Sequence, residues 1–289
     1  MEPKEGYWAV SSSTFAPRVF NRRMWFSPFM RLHNPSQVLV DWIDKVADSC
    51  DLQRKKLLIF LDPEENRVRR DEAEYRIRQN VARGWTPYLW DTETVAKKED
   101  ADIHACFAPG ELLRTQNLPE YAKTAVESEE SLVYIDKVYL ADHIIHSVLT
   151  LAEECRHAWQ YYTHPIVFFG CNVLGFVMVD HETPAEVDAA IFAKRSALEF
   201  FGPSSVEKFA REQLNSSPAE HRAFWQRFLD TNHLTKYDCV ASTQNALMDK
   251  ADELRRHQKS SGIDYPYIER TAGYLPETQR VRFLATARR

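Results

Sequence analysis

Leu149-Thr-Leu-Ala-Glu153-Glu154-Cys155-Arg156-His157-Ala158-Trp159-Gln160 is the stretch on which the reading of this chain turns. Its charged residues lie mid-segment, with Ile144, Ile145, Val148, Leu149 and Leu151 around them. Apolar residues at this spacing predict a long helix from about Ala141 to Tyr162, with Asp142 near the start, where the helix dipole favours negative charge, and Pro165 as its stop. Glu153 and His157 are then one turn apart on one face, and Glu154 lies about 60° round from His157 on the same side. Residues 153 and 157 can share one ion while Glu154 reaches a water beside it. The H-E-x-x-H helix of zinc hydrolases works this way, with ligands at positions one and five and the general base at position two. Here position one is Glu153, and a set with two carboxylates also suits harder ions such as Mn²⁺ or Fe²⁺.

A third ligand has to come from another element. The best candidate is Pro184-Ala-Glu186-Val-Asp188-Ala189-Ala190, the start of a predicted helix running to Phe201 with Gly202 as its stop. Its alanines allow close helix packing, which brings a carboxylate up to the first helix. Glu186 is expected to ligate, and Asp188 to orient His157 or serve in its place.

The run Leu-Ala-Glu-Glu-Cys-Arg-His-Ala-Trp-Gln resembles the H-E-L-R-H-A-W-Q active helix of a bacterial and phage group of zinc-metallopeptidase-type proteins, themselves similar to gluzincins. The later Pro-x-Glu-x-Asp-Ala resembles that group's E-A-D-A helix. The resemblance spans about residues 130–200, and Arg156, His157, Trp159 and Gln160 make it more specific than a bare H-E-x-x-H. It implies a strand, an active helix and a following helix that supplies an acidic ligand. It also implies one divalent ion, zinc first, acting on a peptide or protein substrate.

Outward from this stretch the pattern is α+β, with a small sheet in the first half and helices in the second. Ser36–Cys50 reads as a helix, Leu57–Leu61 as a buried strand closed by Asp62-Pro63, and Arg69–Arg83 as a helix ending at Gly84. Residues 85–107 are expected to carry two short strands around a charged turn, and Ser131–Leu140 a strand with an irregular end, its strand residues Leu132, Val133, Tyr134 and Ile135. Ile166–Val179 is apolar apart from Asn172 and two glycines, so its periodicity does not separate strand from helix. Helices are expected at about Ser205–Leu214, Pro218–Asn232 and Lys236–Lys259, followed by a Pro- and Tyr-containing tail. Residues 1–35, rich in aromatic and basic side chains and broken by Pro17, Pro28 and Pro35, read as an irregular arm ahead of a single domain over 36–289, whose helical C-terminal part spans about 203–260.

The 289 residues are 44% apolar and 27% charged, with a net charge of −5, which argues against a general nucleic-acid binder. The 8 glycines form neither G-x-G-x-x-G, a P-loop nor G-x-S-x-G, so those phosphate-binding and nucleophile-elbow sites are excluded. Cys50, Cys106, Cys155, Cys171 and Cys239 are scattered and odd in number, as in a reduced, cytoplasmic protein. The N-terminal residues lack a signal-peptide apolar run, and Ile166–Val179 falls short of the ~20 residues of a membrane span.

The leading expectation is thus a metallopeptidase-like hydrolase with Glu153, His157 and Glu186 as ligands, Glu154 as base, and Asp188 and Arg156 in support. One alternative is an inactive zincin-like binding or regulatory protein, in which Glu153, Glu154, Arg156 and His157 form a metal-free ion-pair cluster. Another is a di-iron oxidase using Glu154-x-x-His157, with Asp230-x-x-His233 as the nearest second pair. His146 lies about 16 Å along the axis from His157. It and His143 are therefore expected to pack or cap, as Cys155 and Phe224-Trp225-x-x-Phe228 are expected to fill core.

Overall fold

The computed structural model describes residues 30–33, 37–67, 103–140, 143–175, 177–216, 219–230, 237–261 and 266–287. The expected helix at Arg69–Arg83 and the aromatic and basic residues before Met30 lie outside them. In chain order the elements are β1 (Met30–His33), α1 (Gln37–Ser49), β2 (Leu57–Leu61), β3 (Ala105–Ala108), α2 (Glu120–Thr124), β4 (Ser131–Ile135), α3 (Lys137–Leu140), α4 (Ile144–Thr163), α5 (Pro165–Leu174), α6 (Pro184–Phe201), α7 (Pro203–Ser216), α8 (Ala219–Asp230), α9 (Cys239–Ser261), α10 (Pro266–Gly273) and α11 (Glu277–Ala287). The architecture is α+β, with the sheet in the first half and helices dominating the second.

The sheet order is β1-β2-β4-β3; β1, β2 and β4 run parallel, and β3 is antiparallel to β4. All five residues of β2 and of β4 are buried, as expected of strands covered on both faces. Leu57, Ile59, Leu61, Val133 and Ile135 belong to the larger core, with Ile43 and Val46 of α1 and Val148, Leu151 and Cys155 of α4. Leu58, Phe60, Leu132 and Tyr134 turn to a smaller core with Leu113, Leu118 and Ala122.

Asp62 and Asp136 follow β2 and β4 directly and are buried there. Asp62 accepts from Tyr121 Oη at 2.6 Å, Tyr134 Oη at 2.8 Å and the Glu64 amide. Asp136 accepts from His104 Nδ1 at 2.7 Å and from the Asn66 and Val138 amides. These bonds replace the water the carboxylates lose and pin the turns at the carboxyl ends of both strands.

Several boundaries differ from expectation. Part of the arm is a strand, because Arg31 grips the buried Glu130 ahead of β4 through Nε–Oε1 at 2.9 Å and Nη2–Oε2 at 2.5 Å. Within residues 103–107, the only described part of 85–107, strand β3 begins at Ala105. The strand from Ser131 ends at Ile135, as the named strand residues implied, and the irregular end expected after it is instead the short helix α3. Of Ile166–Val179, the part up to Leu174 is helical and belongs to α5, with Pro165 at the first helical position rather than as a mere stop. The Pro- and Tyr-containing tail holds α10 and α11, so the helical part runs on past 260.

α4 packs most extensively on α6, and this pair carries the residues singled out above. Gly170 of α5 allows a close crossing with α9, where an added Cβ would collide with Thr243 Cγ2. Gly202 ends α6 at φ +77°, in the left-handed region that glycine tolerates. Glu111, just past β3, is held bidentately by Arg270 of α10, at 2.6 and 2.9 Å, and accepts from Tyr161 of α4 at 3.1 Å. No helix among the described residues is long and apolar enough to cross a membrane.

Candidate metal centre

α4 starts at Ile144 because His143 caps it, its Nδ1 accepting from the Ile145 amide at 3.2 Å. His146 meets the rings of Tyr139, Phe209 and Trp225, so both histidines serve packing and capping. Trp225 and Phe228 are core residues. Two turns into α4 the polar stripe meets the first turns of α6.

Glu153, His157 and Glu186 each offer one ligand atom, all within 4.8 Å of one another, and each residue is partly buried. Among the described residues no other three His, Cys, Asp or Glu side chains form such a group. His157 Nε2 lies 3.4 Å from Glu186 Oε2. Two ligands about 2.0–2.2 Å from one tetrahedral ion are separated by about that distance. The donor set of one imidazole and two carboxylates fits a divalent cation, so these residues can hold one.

His157 and Glu186 are also coupled electrostatically. Burial works against a charged His157, but Glu186, Glu154 and Glu153 outweigh it and hold the ring's pKa well above the usual histidine value. Burial would raise Glu186, yet His157 and His181 pull it below the ordinary carboxylate range. His181, exposed on the turn ahead of α6, was not a sequence candidate. Glu154 adds its charge to the burial that raises the Cys106 thiol on β3, and it also acts on His157. Its carboxylate is thus within Coulombic range of both the antiparallel strand and the three-ligand group.

Asp188 does not reach His157 as expected. Its carboxylate takes Arg156 Nε at 2.8 Å on Oδ2 and Arg156 Nη2 at 3.0 Å on Oδ1. The ring is held instead by Gln160, whose Oε1 is 3.0 Å from His157 Nδ1. Gln160 Nε2 donates to Ala185 O and Asp188 Oδ2, each at 2.9 Å. Geometry explains the correction. Asp188 sits half a turn beyond Glu186, level with Arg156 and Gln160, and the longer glutamine spans the gap to the ring. Gln160 was part of the quoted motif but received no role; its position three residues after His157 was the signal available.

Arg156 also lies over the Trp159 ring, 3.4 Å from its centre. Buried Cys155 stays a protonated core thiol, its pKa raised chiefly by burial and further by Cys50 and Glu154. Of the second pair a di-iron site would need, Asp230 accepts from Gln226 on its own helix, and His233 lies outside the described residues. In comparisons with protein-family models, with curated proteins and with solved structures, nothing matches the chain.

Proposed function

We propose that this protein is a metallopeptidase-like hydrolase that holds one divalent ion, zinc first, on Glu153, His157 and Glu186. The observation that carries the proposal is the convergence of those three ligand atoms within 4.8 Å. When bound, such an ion supplies Lewis acidity that polarises a carbonyl and lowers the pKa of a water. Glu154, next along α4, takes the proton from the attacking water on its carboxylate and passes it to the leaving amine. Arg156 and Asp188 brace α4 against α6, which keeps His157 and Glu186 at one focus. A peptide-type substrate is supported by β3, which among the described residues stands at one edge of the sheet order and packs against α4. An extended backbone can add to such an edge by main-chain hydrogen bonds.

The test is elemental analysis of protein purified without chelators, followed by zinc titration of wild type and His157→Ala. One ion per chain, lost in the variant, is the expected result. No uptake by wild type would overturn the proposal. The direct His157–Glu186 pair would then favour the second reading, a metal-free zincin-like binding protein.

A further inference from the structure

We propose that His104, backed by Asp136, is a nucleophilic imidazole that takes the acyl group of an activated, uncharged ester, a reactive centre separate from the Glu153, His157 and Glu186 group.

The sheet register builds the centre. Leu61 and Ala105 both pair with Ile135, so Asp62, Asp136 and His104 stand in one row across β2, β4 and the chain entering β3. The ladder continues through that row, since the Asp62 amide donates to Ile135 O at 2.8 Å and the Asp136 amide to His104 O at 2.9 Å. Side chains alternate along a strand, and Phe60, Tyr134 and Cys106, each two residues away, turn to the smaller core. The row therefore faces that same side of the sheet. Asp62 is occupied by the hydroxyls of Tyr121 and Tyr134, which leaves Asp136 and His104 to each other.

Asp136 is 0% exposed and lies 2.7 Å from His104 Nδ1 through Oδ2. A carboxylate only accepts, so Nδ1 carries the hydrogen and Nε2 the lone pair. Among the described residues no hydrogen bond or ion pair engages Nε2. That lone pair diverges from the Nδ1–H bond and so points away from the buried carboxylate, and the His104 side chain keeps 28% of its surface open. Tyr139 meets the ring at 72° and is followed by His146, about 16 Å along α4 from His157.

A buried carboxylate on Nδ1–H fixes the ring's orientation and stabilises the imidazolium formed when Nε2 bonds to carbon. Nε2 gives its lone pair to the ester carbonyl carbon, and the alkoxide leaves with the electrons of the C–O bond. The acyl-imidazolium keeps its Nδ1–H against Asp136. Water then adds to the acyl carbonyl, the C–Nε2 bond breaks with its pair returning to Nε2, and the proton shed by water goes to the alkoxide. The sum is ester plus water giving acid plus alcohol, with His104 restored. Glu65 lies within Coulombic range of His104 and Lys137 and pairs with Arg67 at 2.8 Å. Opposite charges thus offset one another near the ring, which suits an uncharged ester better than a phosphoryl or carboxylate-bearing donor.

The test is release of p-nitrophenol from p-nitrophenyl acetate by the full-length protein in excess chelator, which removes any contribution of a bound ion. Wild type is expected to exceed free imidazole supplied at the concentration of the chain's 10 histidines. His104→Asn sets an amide N–H where Nδ1–H stands, so Asp136 keeps a donor while the nucleophile is gone. Its melting temperature is expected to stay near that of wild type and its rate to fall to the free-imidazole level. A wild-type rate no greater than free imidazole overturns the proposal, as does an unchanged rate in His104→Asn. A second measurement needs no variant. Timed carbethoxylation by diethyl pyrocarbonate, mapped by mass spectrometry, is expected to label His104 ahead of His143 and His181, although both are more exposed. Labelling in order of exposure overturns the proposal and leaves the His104–Asp136 pair as a staple of the turn after β4.

Discussion

Arg156 holds Asp188 by two parallel hydrogen bonds, Nε to Oδ2 at 2.8 Å and Nη2 to Oδ1 at 3.0 Å, with both side chains largely withdrawn from water. Removing one partner of such a pair leaves a buried charge uncompensated. Arg156→Ala is expected to destabilise the fold by about 3–5 kcal/mol. Arg156→Lys, which keeps the charge but loses the planar fork, is expected to fall between that variant and wild type. Denaturant unfolding of the three proteins checks the order, and equal stability of all three would show that the pair does not hold α4 to α6.

Glu154 is assigned a proton and not the ion. Glu154→Gln keeps the side chain's shape and removes the base, so zinc content and melting temperature are expected to stay close to wild type. Hydrolysis of a peptide substrate is expected to drop by ~10²–10⁴-fold. A large fall in melting temperature, with no hydrolysis by wild type, would instead mark Glu154 as a structural charge in a binding protein.

Glu153→His rebuilds the H-E-x-x-H pattern on the same face of α4. With Glu186 still opposite, the ligand set becomes two imidazoles and one carboxylate, the His₂Glu combination of zinc hydrolases. Calorimetric titration is expected to show tighter zinc binding than wild type. Equally negligible uptake by both proteins would mean that α4 and α6 do not form a ligand cage.

Away from the site, Gly170→Ala drives a methyl group into Thr243 where α5 crosses α9. Overpacking of this kind costs about 1–3 kcal/mol. Thr243→Ser removes the colliding methyl and keeps the hydroxyl that donates to Cys239 O. The double variant is therefore expected to recover most of the loss, and thermal melts of the four proteins in the cycle measure the coupling.

Periodicity made α4 and α6 legible, because a polar stripe on an apolar helix and an alanine-rich start after proline both leave a mark in sequence. The parallel core strand at Leu57–Leu61 was legible for a related reason, as a short apolar run ended by Asp-Pro. Where the signal is uniform it fails. Ile166–Val179 has no polar face from which to read a period, and α5 emerges only through its packing on α9 and α10. The tail carried no assigned element, and Pro266 opens α10 at a position where a missing N–H costs nothing. β1 was hidden because four residues between prolines show no pattern of their own, and it is secured by the distant Glu130. At the site, the spacing of 153 and 157 and the acids of α6 were readable, whereas the joining role of Gln160 was not. An amide carries neither charge nor a distinctive motif, and its partners become evident only once α6 lies against α4.

The bond between Glu111 and Arg270 has a consequence for the order in which the molecule is made. The two residues are separated by 159 positions, while Glu153, His157 and Glu186 all fall between them. A ribosome delivers the entire ligand group before it delivers Arg270. A nascent chain can therefore carry α4, α5 and α6, with every residue of the ligand group, while Glu111, beside β3, still lacks its guanidinium. Docking of α10 is then a late, long-range closure, and only with it does the wall beside β3 take its final place.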